Sequence, residues 1–454
     1  MSSLLRHNQA PAADVAVASI PTPQPQDYDW VLVSGFIVIL TQVGFAFIGA
    51  GSVRYKNSQS VVIKVFLGLF LTVLIWWLFG YGFSFGDDFQ TKFMGGTKLA
   101  GAKWEATAYG NDYTNFVFRA SGAAVGTAIL AGAAAERMTF LGWSIFTILY
   151  SGFIYAGLTH WTLAAGWLSA LGFKDFSGAG VVFYAAGVAG LILTILLKPR
   201  KARFDNGATL DFNRHSPLYI GFGSLLVLAG WLFYNGGVVS QGAKSQYIQG
   251  LVAVNTLIAG ATGGFFSFVI RHFQYGTSNL AALSRGVICG LVAVSAAADD
   301  MKPWTAFLYG AIAALIYSFL AKVMPAAHID DPAEVVSVYL GSGFVGILLS
   351  ALFDTKAGAF YGFGTKLLGH QLLGLLIIFA WVTFFTLIIL LALKGFGILR
   401  IDAETENVGI DKALCLGEAI VFANQVDEMP LVQQTELGNL RSSQLGSGLR
   451  SGFK

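Results

Sequence analysis

Two short stretches hold the residues best placed to act on a passing solute. Asp175 precedes Ser177-Gly178-Ala179-Gly180 and then the apolar step Phe183-Tyr184, and Asp330-Asp331 precede Val338-Tyr339 in the same way. A carboxylate ahead of small residues can cap a helix start. A phenyl ring offers only an aromatic face, and a phenol with an ordinary pKa of about 10 keeps its proton at neutral pH. Arg119 and Arg285 interrupt apolar runs. A charge at the centre of a membrane helix costs about 2.5–3.5 kcal/mol, so each marks a function, a snorkelling side chain or a partner to a carboxylate such as Asp175. Facing a pore, either would repel cations and favour an anion or closure. His160 reads as a structural residue at a helix end. The sequence has no nucleophile–base constellation, phosphate loop or metal-ligand spacing, and Cys289 and Cys415 form no disulfide framework. Such a set suits the passage of a solute rather than the making of bonds, so neither enzymatic activity nor a cofactor is expected.

The elements that must position these residues are membrane helices. Hydrophobic residues make up 55% of the 454 and charged residues 12%, with a mean hydropathy of +0.65. Soluble domains carry about twice that charged fraction. A net charge of +3, with basic residues scattered through loops, leaves no footprint for nucleic acid. Apolar runs of about 20 residues span a bilayer core. Eleven such runs begin near Trp30, Val61, Tyr113, Met138, Gly178, Ser216, Ile248, Asn279, Pro303, Glu334 and Leu367. The fold class expected is therefore an all-α integral membrane protein.

Charge orients it. Alternate connections carry Arg54, Lys56 and Lys64, then Arg137, then Lys198, Arg200, Lys201, Arg203 and Arg214, then Arg271. The intervening ones carry Asp87, Asp88, Asp175, Asp299, Asp300 and Asp354. The positive-inside rule places the first set in the cytoplasm, the N-terminus outside and the C-terminus inside. Val182–Gly190 aligns with Val338–Gly346 in the fifth and tenth runs. Segments five helices apart cross in opposite directions, which gives an inverted five-plus-five repeat plus one helix, with Phe183 and Tyr339 as mates on a central path. Chance likeness among small and branched residues is the competing explanation. Residues 1–29 read as a polar, proline-rich, disordered extramembrane lead-in without a signal peptide, 30–399 as the transmembrane domain, and 400–454 as a cytoplasmic tail, polar and Ser/Gly-rich from about Ala423.

Six collinear stretches resemble the ammonium transporters of the Amt/Mep/Rh family: QVGFAFIGAGSVRYKN (42–57), GAAAERM (132–138), HWTLAAGWLSALGFKDFSGAGVV (160–182), GWLFYNGG (230–237), DDPAEVVSVY (330–339) and GIDKALCLGEA (409–419). The resemblance implies a homotrimer with one narrow pore per subunit, embedded in the lipid bilayer of the plasma membrane or an organelle. It implies ammonium or ammonia as substrate, and further membrane-complex subunits are compatible with it.

The departures from the family pattern fall on the pore. By the resemblance, two hydrogen-bonding histidines should stand at Phe183 and Tyr339. A neutral imidazole both donates and accepts, which a phenyl ring cannot do. The vestibule tryptophan and serine positions read Leu163 and Val238, and a first-helix glutamate position reads Gly49. The aromatic gate reads Phe118 and Tyr234, so that pair is kept, and Trp231 and Asn235 match. Arg119 stands for a glutamine and Arg285 for an asparagine, each a possible pore charge. Asp175 resembles the family's structural aspartate, and Leu416 replaces a tail histidine. The first reading is an ammonium/ammonia channel with an atypical pore. The alternatives are a non-conducting structural, sensing or assembly subunit, or a pore of altered selectivity for a small solute or anion.

Overall fold

The computed structural model describes residues 25–415 apart from 88–92, 108–109, 165, 206–207, 210–211 and 240–244. The expectations for residues 1–24, for Leu416 and for the tail beyond it lie outside the described residues. Ten helices are long and apolar enough to cross a bilayer. They are α1 (Tyr28–Ser52), α2 (Tyr55–Phe85), α3 (Asp112–Ala133), α4 (Phe140–Ala170), α5 (Ala179–Leu197), α6 (Pro217–Val238), α7 (Tyr247–Tyr275), α9 (Pro303–Ala326), α10 (Val336–Phe353) and α11 (Lys366–Gly395). Between α7 and α9 lies a shorter apolar helix, α8 (Leu280–Val294). Helix already begins at Pro25, inside the segment expected to be a lead-in. Two pairs of two-residue strands and two short tail helices, α12 (Ala403–Val408) and α13 (Ile410–Leu414), complete the described architecture.

Sequence sets where the helices start. Asn111, Thr139, Ser216 and Asn279 each accept a hydrogen bond from a first-turn N–H, satisfying a donor that the helix itself cannot pair. Pro217 and Pro303 occupy first turns, where a missing N–H costs nothing. Burial separates inner from outer helices. The spans of α3, α5 and α10 are 83%, 78% and 72% buried, and that of α11 only 28%, so α3, α5 and α10 form the centre of the bundle.

The aligned stretches of α5 and α10 share their backbone. Asp175 and Asp331 stand 156 residues apart, as do the left-handed positions Gly178 (φ 95°) and Glu334 (φ 57°). The regular portions Ala185–Leu197 and Gly341–Phe353 keep the same offset, and each follows a widened π turn, Ala179–Tyr184 and Val336–Leu340. The two helices cross through glycine. A Cβ on Gly187 would stand 2.3 Å from the Leu340 nitrogen, and one on Gly343 would stand 2.8 Å from the Tyr184 nitrogen. These two contacts map onto each other under the same offset. Small residues at such a crossing let membrane helices approach to backbone distance.

Candidate functional site: an aromatic column from α3, α5 and α6

Phe183 is fully buried on the π turn of α5. π turns are rare and recur at functional sites, because the extra residue re-aims a side chain. The Phe183 ring stacks on Trp231 with centroids 4.6 Å apart and planes at 23°, and meets Tyr234 edge-on at 5.9 Å. Tyr234 in turn stacks on Phe118 at 6.2 Å and 25°. Four rings from α3, α5 and α6 thus form one column, joining the expected gate pair to the Phe183 position.

A buried polar network holds the column. Trp231 Nε1 donates to Ser295 Oγ at 3.0 Å, and Ser295 Oγ lies 3.1 Å from Asn235 Oδ1. Ser177 Oγ donates to the same Asn235 oxygen at 2.5 Å, and Asn235 Nδ2 donates to Thr256 Oγ1 at 3.0 Å. Every member is paired, so the network specifies one ring orientation instead of leaving costly orphans. Thr256 and Ser295 have no charge or motif to single them out in sequence; only the fold brings them to Ser177 and Asn235.

Asp175 caps α5. Oδ1 accepts from the Gly178 N–H at 3.0 Å, and Oδ2 accepts from Gly180 at 2.9 Å and Val181 at 3.0 Å. Burial pushes its carboxyl up to about 6 despite those donors. Asp331 Oδ2 accepts from the Val336 N–H at 2.7 Å, the matching cap on α10, and burial again lifts its carboxyl to about 6.

Tyr339 does not join the column. It lines a small apolar cavity with Phe45, Gly49, Val61, Val65 and Ile129, and has no ring partner among the described residues. The Phe183 and Tyr339 positions are related by the repeat, yet their rings point to different neighbours. Leu163, just after the helical turn that ends at Thr162 within α4, and Val238, at the end of α6, are half-buried and pack against the core. His160 Nδ1 lies 2.8 Å from the Ser84 carbonyl in a buried helix end.

The arginines take partners other than Asp175. Arg119 lies over the rings of Phe85 at 5.4 Å and Phe118 at 5.6 Å, and no carboxylate is within ion-pair distance among the described residues. Arg285 sits at the opposite end, where Nη1 pairs with Glu334 Oε1 at 2.8 Å and Nη2 donates to Ser52 Oγ at 3.2 Å. The pairing of either arginine with Asp175 is thereby corrected: the backbone N–H groups of α5 use that carboxylate instead.

The arginine-rich end is held by buried ion clusters. Glu136, at a left-handed φ of 64°, accepts from Arg54 Nε at 2.5 Å, Arg200 Nη1 at 2.6 Å and Asn57 Nδ2 at 2.9 Å. Burial raises its carboxyl, but Arg200 and Arg54 outweigh burial and hold it below its ordinary range. Arg200 also forks onto both oxygens of Asp330 at 2.7 and 2.8 Å. The tail docks here: Asp411 accepts from the N–H groups of Gln59 and Ser60, each at 2.8 Å, and Arg400 pairs with Glu406 at 2.8 Å.

A helical membrane protein with an aromatic column, a glycine-sealed crossing and capped π turns at matching positions has the construction of a channel or transporter. The sequence profile of the Ammonium Transporter Family matches residues 29–419, and the chain belongs to that family. It is 32% identical over 411 residues to ammonium transporter 1 member 2 of Oryza sativa, covering 82% of each chain. It is 29% identical over 419 residues to ammonium transporter 3 of Dictyostelium discoideum, covering 87% of this chain and 94% of that one. Among solved structures it resembles a sensor Amt protein, with a TM-score of 0.81, 26% identity and coverage of 86% and 98%. It also resembles Mep2 of Candida albicans, with a TM-score of 0.78, 25% identity and coverage of 84% and 88%.

Proposed function

We propose that the protein is a membrane channel for ammonium and ammonia in the plasma membrane, with one pore per subunit of a homotrimer. In this reading α8 completes eleven crossings, the acidic end faces outward and the arginine-rich end with the tail faces the cytoplasm. Residues 30–399 are then the transmembrane domain, with 1–29 and 400–454 outside the membrane.

The aromatic column carries the reading. Phe118 and Tyr234 present ring faces at the outer end, where an aromatic quadrupole attracts a cation with about 0.5–2 kcal/mol. Phe183 beyond them has no atom able to accept a proton. Tyr339 keeps its phenol proton at neutral pH. The path therefore suits the neutral base, with the proton left outside and no relay through these two positions.

Ammonium-limited growth of a host lacking its own ammonium transporters tests this. The wild-type chain should restore growth, and Ala186→Trp, at a fully buried position beside Gly187 of the α5–α10 crossing, should abolish it. Failure of a membrane-inserted wild-type chain to restore growth would instead favour a non-conducting subunit.

A further inference from the structure

The arginine-rich end contains a cavity of about 570 Å³ lined by Arg214, Arg271 and Arg285, with Asn279, Tyr317 and Glu334 among the other lining residues. Glu334 is the one carboxylate in that lining among the described residues. Its Oε1 accepts from Arg214 Nη2 at 2.7 Å and pairs with Arg285 Nη1 at 2.8 Å, and its Oε2 accepts from the Tyr317 hydroxyl at 2.7 Å. Within that lining one negative charge thus faces three guanidinium groups, and the Asp331 charge next door also acts on Arg285, so the lining itself stays net positive. Asp331, in the adjoining cavity, is committed through Oδ2 to capping α10.

Several donors remain unused. The Arg285 side chain is only 2% exposed, and its Nε has no hydrogen-bond partner among the described residues. The Arg271 Nε is buried in the same condition. Asn279 spends its side-chain oxygen on the Ala282 N–H, so that its amide NH2 stays free to donate, and the N-terminus of the 15-residue α8 opens beside it. A helix start adds a partial positive charge and unpaired N–H groups. Arg214 feels the crowding: repulsion from Arg285 and then burial hold its pKa below the ordinary arginine value.

Like charges at this density around a buried Arg285 call for an anion. Guanidinium forks match the oxygens of tetrahedral oxyanions, and charge-assisted hydrogen bonds of this kind are about twice as strong as neutral ones. Such an anion would offset the net positive charge of the lining. We propose that this cavity is a binding site for a phosphate group, carried either by free inorganic phosphate or by the head group of a membrane phospholipid. The inference rests on the arginine cluster and is independent of what the pore conducts.

The test uses the purified full-length protein. Its thermal unfolding is followed with inorganic phosphate or chloride at matched ionic strength. A second arm reconstitutes it into phosphatidylcholine vesicles with and without a phosphatidylinositol phosphate. Phosphate should raise the melting temperature beyond chloride, and Arg271→Gln should weaken its apparent affinity by about tenfold, the loss of one charge-assisted contact. Arg271 lies at the half-exposed rim and makes no direct bond to Glu334, so this variant keeps the Arg214–Glu334–Arg285 contacts that Arg285→Gln would break. Stabilisation only by the phosphoinositide vesicles, again lost in Arg271→Gln, assigns the site to a lipid head group. Equal responses to phosphate and chloride together with no effect of the phosphoinositide would overturn the proposal. So would an Arg271→Gln variant that binds as tightly as wild type.

Discussion

The starts of α5 and α10 repeat one backbone and differ in chemistry. Each has a capping aspartate, a left-handed residue three positions on, a π turn, an aromatic residue eight positions on, and a glycine at the crossing. At α5 the left-handed position is Gly178, which adopts φ 95° without a Cβ penalty. At α10 the same position is Glu334, which accepts the strain of φ 57° while its carboxylate gathers Arg214, Arg285 and Tyr317. Phe183 faces a stack of rings, whereas Tyr339 faces a small apolar cavity. Geometry common to both halves builds the crossing, and side chains unique to each half give its two ends different characters. One end is aromatic with a single arginine, and the opposite end is a lattice of guanidinium and carboxylate groups.

Breaking the charged half should have the largest effect. Glu334→Gln leaves buried arginines without their counter-charge and should cost about 3–5 kcal/mol, read as a large drop in the melting temperature of the purified protein. In the other half, Gly178→Ala places a Cβ 2.6 Å from Val182 Cγ2 at a left-handed φ. It should cost about 1–3 kcal/mol in the same assay and lower transport with it. If both variants matched wild type, the two caps would not be structural mates.

Asp175 and Glu334 respond oppositely to pH. Burial raises Asp175 to about 6 from an ordinary 3.8, so its contribution is present below about pH 4 and is lost as pH rises through 6. Glu334 is opposite in sign. Burial pushes it up, but Arg285 and Arg214 outweigh burial and hold it at about 2, so its contribution is present above pH 4.5 and is lost as pH falls toward 2. Melting curves of Asp175→Asn should therefore show a smaller loss between pH 4 and 6 than the wild type, with the share due to Asp331 and the acid-side loss remaining. An unchanged profile would mean that the carboxylate titrates near its ordinary value.

The smallest effect expected is at Arg119. A unit charge about 6 Å from a bound cation costs ~0.7 kcal/mol with water-like screening, or about threefold in affinity. Arg119→Gln should improve apparent ammonium affinity by about that factor in uptake assays. No change would place the guanidinium away from the path.

Much of this architecture is legible in the sequence. Helix starts follow from apolar runs and from the caps at Asn111, Ser216 and Asn279, and the α5–α10 relation follows from matching small-residue patterns. The partners of charged residues are less legible. Arg285 finds Glu334, 49 residues away, and Asp330 and Asp331, adjacent in sequence, divide between an arginine fork and a helix cap. Which of two neighbouring carboxylates faces which group depends on backbone direction at a left-handed turn, and no local pattern encodes it. The same holds for Tyr339, whose ring direction is set by the π turn and by the room beside Gly49.

The central claim is that this aromatic path passes ammonia. Its most direct measurement is the internal pH of proteoliposomes after sudden exposure to an ammonium gradient. Entry of the neutral base should alkalinise the lumen faster than in protein-free vesicles, with Ala186→Trp returning the rate to that background. A wild-type rate equal to that of protein-free vesicles would contradict the account.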